Sequence, residues 1–92
     1  GSLYGGHALA AMAKAAFITA SRHSRKKVVL ASCRRVDLHR QVAAGELMDI
    51  SARITTTAKS SMVVEICLFS CPSLSTERVL CGTGEYVMVG TG

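Results

Sequence analysis

The sequence predicts an α+β fold: one long helix followed by a long antiparallel sheet that wraps around it. Three observations predict this. Every residue from Ala8 to Ala20 is small or apolar except Lys14 and Thr19, and a helix apolar on nearly all sides is a buried one. Four later stretches, rich in Val, Ile, Leu, Thr and Cys, read as strands near the upper end of the usual length range. The links between them are short, which predicts antiparallel neighbours.

The helix opens at Gly5-Gly6-His7 and ends at Ser21-Arg22-His23. Two glycines leave the backbone N–H groups of its first turn uncovered, and those groups have no partner inside the helix. Ser24-Arg25-Lys26-Lys27 is a polar connection, and Val28 to Leu38 is the first strand. Gln41 to Gly45 forms a turn. Leu47 to Thr57 alternates, with Leu47, Asp49, Ser51, Arg53 and Thr55 on one face and Met48, Ile50, Ala52 and Ile54 on the other. That period of two marks a half-buried strand. Ala58-Lys59-Ser60 links it to a strand from Met62 to Ser70. Cys71 to Thr76 is a loop broken by the only proline, since proline removes a ladder donor. Arg78 to Val89 is the last strand, with Gly82 and Gly84 marking a bend or bulge.

Ninety-two residues without linker, repeat or low-complexity segment make one domain, residues 1–92. A domain this small buries too little surface to be comfortable alone. Its 49% hydrophobic content and mean hydropathy of +0.32 predict further burial against another copy. Lys14 interrupts the apolar run, so no membrane span is expected, and no basic stretch precedes it as in a secretory signal. A net charge of +5 suits a polyanionic partner such as a phosphorylated cofactor, a nucleic acid or an acidic membrane. With 4% aromatics and no recognisable motif, nucleic acid is set aside. Cys33, Cys67, Cys71 and Cys81 form no CxxC pair and no zinc-ligand spacing, so they read as reduced, buried thiols of a cytoplasmic protein. No metal is expected.

Several segments carry a family resemblance. Gly1-Ser2-Leu3-Tyr4-Gly5-Gly6, Met12-Ala13-Lys14-Ala15-Ala16 and Ala20-Ser21-Arg22-His23 resemble the helix motif of hotdog-fold acyl-CoA thioesterases. Val28 to Ser32, Val36 to His39, Val42 to Leu47 and Ala52 to Met62 continue the likeness in order, across nearly the whole chain. The resemblance implies a hotdog fold, a homodimer or higher homo-oligomer, and hydrolysis of a fatty acyl-CoA to free acid and coenzyme A. The coenzyme A thioester is the substrate, and no separate cofactor is implied. The family has one further strand before the Gly-Gly turn, so this leading strand is expected to be absent here.

In the resemblance, backbone near Gly6 and His7 polarises the thioester carbonyl, because oriented N–H donors stabilise an oxyanion. A carboxylate follows the methionine matched by Met12 and acts on water or on the carbonyl; an asparagine precedes the Gly-Gly turn. This chain departs at both positions, with Ala13 for the carboxylate and Ser2 for the asparagine. Three explanations stand open: a deliberate change that traps substrate, a natural relative that binds without cleaving, or another carboxylate in the role. Asp37 and Glu46 are the candidates for the last.

Side chains that invite other roles read more simply. His7 is a first-turn side chain at a subunit interface, His23 and His39 are capping or surface residues, and Tyr4 packs at the turn. Lys14 must snorkel to solvent or pair with a carboxylate. Arg22, Arg25, Lys26 and Lys27 form a basic group, with Arg34, Arg35 and Arg40 downstream. Lys59-Ser60-Ser61 lies, by resemblance, near the coenzyme A arm, whose phosphates call for basic and hydroxyl groups; Arg22 is the second cation assigned there.

Overall fold

Helix α1 (Gly5–Ser24) is followed by β1 (Lys27–Leu38), β2 (Leu47–Thr57), β3 (Ser61–Cys71) and β4 (Val79–Thr91). The computed structural model describes residues 5–40, 47–71 and 77–91, with side chains from residue 8 onward. The Gln41–Gly45 turn, Glu46 and most of the 71–76 loop lie outside the described residues, as do Ser2 and Tyr4. The helix packs on one face of a four-stranded antiparallel sheet and touches all four strands, the arrangement the sequence predicts.

One stripe of α1 makes that contact. Ala8, Met12, Ala16 and Ala20 recur every four residues and are buried, as residues on one helix face must be. Three of the four are alanines, so the helix axis comes close to the sheet. Met12 is the large one, and Gly84 makes room for it: a Cβ on Gly84 would stand 3.2 Å from Met12 Cε and 3.3 Å from Val36 Cγ2. The helix is not buried all round, as its composition suggested. Phe17 and Ile18 are 37% and 43% exposed on its other side, because a single sheet covers only one side of a cylinder, and Leu9 is 40% exposed near the helix start. Lys14 also stands exposed.

All pairings are antiparallel, in the order β1-β4-β3-β2. One expectation fails here. β1 and β2 follow each other along the chain but are not neighbours; they form the two edges of the sheet. β4 takes the place beside β1. Just past β1, the backbone N–H groups of His39 and Arg40 donate to the Cys81 carbonyl, at 2.7 and 3.3 Å.

β3 shows the clearest alternation. Met62, Val64, Ile66, Leu68 and Ser70 are buried, and the residues between them are half-buried. The buried set shares its side of the sheet with Gly84, Tyr86 and Met88, and is the side that α1 covers. The opposite face carries charge. Arg53, Glu65, Glu85 and Arg34 are successive register partners across β2, β3, β4 and β1. Arg53 Nε donates to Glu65 Oε1 at 3.0 Å, and Arg34 and Arg35 lie 3.9 and 4.0 Å from Glu85 Oε1. On the same face Arg78 donates to Asp49 at 2.7 Å and stacks 4.1 Å from the Phe69 ring centre.

The thiols differ from expectation. All four cysteines are free, but only Cys81 is buried, while Cys33 is exposed. β1 is an edge strand with two register shifts, which leaves its side chains less covered than its composition implied.

Candidate functional site

The direction of α1 decides which candidate residues meet. Its last turn lies at the end of the sheet where β1 starts. The Arg25 N–H donates to the Ser21 carbonyl at 2.8 Å, with Arg25 in the left-handed region at φ 56°, a cap position where glycine is usual. Met12 meets Gly84 near mid-sheet. The helix therefore runs from the Ser70 end of β3 to the Met62 end. Twenty helical residues span about 30 Å, so the two ends of α1 are separate places.

At the first end, α1 begins at Gly5 with no acidic residue in its first turn. The partial positive charge of the helix start is therefore not offset by a side chain of its own first turn. Gly6 and His7 belong to this turn; the His7 side chain lies outside the described residues. Ala13 sits two turns further on, partly buried against the core. Its methyl holds the place where the resemblance puts a carboxylate.

Ser70 joins this end and was missed from the sequence. It is fully buried, and its Oγ has no hydrogen-bond partner. The only sequence signal was the alternation itself, which puts a serine where Met62, Val64, Ile66 and Leu68 set an apolar series.

Asp37 lies towards this end of the sheet but on its other face within one protomer. It is the register partner of Thr83 and lines a cavity of about 290 Å³ with Arg35, Glu65, Cys67, Thr83 and Glu85. That cavity lies on the charged face, away from α1. The cause is local: between Arg34 and Asp37 the register shifts, with Arg35 at φ 51°, so simple alternation along β1 does not say which way Asp37 points. Glu46, the other candidate, lies outside the described residues.

The second end gathers the basic residues. Lys59, Ser60 and Ser61 line a cavity of about 210 Å³ together with His23, Ser24, Lys26, Thr57 and Gly90. The hairpin is tied by Ala58 N–H donating to the Ser61 carbonyl and by Gly90 N–H donating to the Ser60 carbonyl, both at 2.8 Å. Ser24 Oγ accepts from the Lys26 N–H at 3.2 Å and fixes the turn out of the helix. Arg22, in the last helical turn, is exposed and does not line this cavity. Lysine ammonium groups, serine hydroxyls and a histidine in one open cavity can hold a phosphate. His39 is exposed, as expected.

Comparison with known proteins agrees with this architecture. The model of the thioesterase superfamily matches residues 1–73. The human cytosolic acyl coenzyme A thioester hydrolase is 30% identical over 85% of this chain, which covers 20% of that protein. An acyl-CoA hydrolase structure from Agrobacterium tumefaciens superposes with a TM-score of 0.93 at 41% identity, covering 99% of this chain and 37% of that one. A hexameric acyl-CoA thioesterase structure superposes with a TM-score of 0.95 at 30% identity, covering all of this chain and 59% of that one. The chain thus spans about a fifth of the human relative it matches. Among the described residues, no helix is long and apolar enough to cross a membrane.

Proposed function

Because this chain belongs to the thioesterase superfamily, we propose that it binds a fatty acyl-CoA with the thioester carbonyl at the start of α1. One observation carries the reading: a 20-residue helix, packed across a whole sheet, begins with glycines and no acid in its first turn. The N–H groups near Gly6 and His7 polarise the carbonyl and stabilise the oxyanion that water creates there. Water adds to the carbonyl carbon, the C–S bond breaks, the free acid forms, and the coenzyme A sulfur leaves and takes a proton.

The water needs a base. Ala13 cannot serve, and Asp37 faces away from α1. General-base help contributes typically ~10²–10⁴-fold, so this chain binds better than it turns over. The same observation favours a second reading, a non-catalytic acyl-CoA binding module on the same fold.

The cofactor arm meets the second end of α1. Lys59, Ser60, Ser61 and Arg22, with Lys26 and His23, take the phosphates. That end is about 30 Å from the carbonyl site of the same protomer. A two-fold pair with antiparallel helices joins the two, placing the basic hairpin of the partner beside the start of α1, since a two-fold contact uses the same patch on both copies. The exposed Leu9, Phe17 and Ile18 and the hexameric relative support such an assembly. The human relative is a cytosolic enzyme, which supports a cytoplasmic location.

A thiol-release assay on acyl-CoAs of graded chain length, run beside equilibrium binding of the same ligands, tests the reading. Binding with slow release is the expected result. Absence of binding to every acyl-CoA would overturn it.

A further inference from the structure

We infer that Ser70 is a ligand contact: its hydroxyl donates a hydrogen bond to the carbonyl oxygen of the acyl group held at the start of α1. The inference rests on the acyl-CoA reading and adds a residue to it. Ser70 is fully buried and its Oγ finds no partner. A buried hydroxyl left unpaired destabilises the fold, so a packed core favours alanine there unless something else uses the group. It is also the one buried polar residue among the described ones.

Its direction follows from the strand. Ser70 continues the series Met62, Val64, Ile66 and Leu68, all buried on the side of β3 that α1 covers. Its position follows from the helix. Met62 lies by the last turn of α1, in the same cavity wall as His23 and Ser24. Ser70 is eight residues further along β3, and a strand advances about 3.3 Å per residue. It therefore reaches the level of the first turn. Ser70 borders Met48 of β2 and Val79 of β4, so its surroundings in the sheet are apolar and offer no competing acceptor side chain.

Two sets of donors thus share one end of one face: the first-turn N–H groups of α1, which have no partner inside the helix, and the Ser70 hydroxyl. A carbonyl oxygen has two lone pairs and can accept from both. The alkyl chain of a ligand makes no such demand, so the chemistry that fits is a carbonyl flanked by apolar chain.

The test uses two analogues that resist hydrolysis. One keeps the carbonyl and replaces the thioester sulfur with CH2; the other keeps the sulfur and replaces the carbonyl with CH2. Each is titrated against the full chain and against Ser70→Ala. The ketone analogue is expected to bind the variant about 5- to 10-fold more weakly, the worth of one hydrogen bond, with the thioether unchanged. Ser70→Ala is expected to melt at the same temperature or higher, since an unpaired buried group is removed. Equal binding of the ketone by both proteins would overturn the inference and leave the acyl-CoA reading standing, as would an equal loss for both analogues. Failure of the unaltered chain to bind either analogue would overturn both.

Discussion

Glu65 and Glu85 are direct register partners on β3 and β4, two carboxylates facing each other on the side of the sheet away from α1. Like charges placed this way destabilise a sheet. The sequence compensates on both flanks, with Arg53 beside Glu65 and Arg34 beside Glu85, so the row reads plus, minus, minus, plus.

Removing one flank exposes the conflict. Arg53→Ala is expected to lower stability by about 0.5–1 kcal/mol, the upper part of the range for exposed pairs. The loss shrinks in high salt and in a Glu85→Gln background. Denaturant titrations of the four proteins in that cycle measure it. An identical Arg53→Ala cost with and without Glu85 shows that the row is not coupled.

Ala13→Asp restores the acid that the family resemblance calls for. Hydrolysis is expected to rise by roughly 10²- to 10⁴-fold, read as thiol release per active site. Substrate affinity changes little, because the carbonyl donors are untouched. An unchanged rate, with binding intact, shows a site remodelled for holding rather than cleaving.

Phe17 is 37% exposed on the free side of α1, near Ile18 at 43%. Phe17→Glu places a charge there and is expected to split the proposed assembly into single protomers, seen by sedimentation velocity. An unaltered mass places the subunit contact elsewhere.

Tyr86 is buried under α1, and its hydroxyl is pushed up to about 12, first by burial and then by the charge and hydrogen bond of Cys33. The folded protein therefore holds this proton more tightly than the unfolded chain. Its contribution to stability is complete below the ordinary tyrosine value of about 10 and is lost as pH rises towards 12. Melting curves between pH 9 and 12 are expected to fall more steeply for the native chain than for Tyr86→Phe. Parallel curves contradict this.

Local rules carried far into the fold and then stopped. The alternation of Leu47 to Thr57 placed β2 at its observed bounds, and the apolar run from Ala8 located α1, because both depend on neighbours a few residues away. Strand order was beyond such rules: nothing near Leu38 or Leu47 says that β4 will sit beside β1. The face that Asp37 takes was beyond them for a related reason, since the irregularity at Arg34–Asp37 breaks the period of two. Lys59, Ser60 and Ser61 read as a basic group of their own; that the fold sets them beside His23, Ser24 and Lys26, and far from Gly6, depends on which way α1 lies on the sheet. Ser70 was hidden because one serine closing an apolar series looks ordinary until its hydrogen bonds are sought.

The strand order has a consequence for how the chain is made. β4 is the last of the four described strands along the sequence, yet it sits between β1 and β3. Until it is made, the other described strands offer β1 no ladder partner, and α1 has half a floor to lie on. The nascent polypeptide must hold its greasy helix in waiting, which makes the seconds of synthesis, rather than the finished molecule, the moment when a chaperone has most to do.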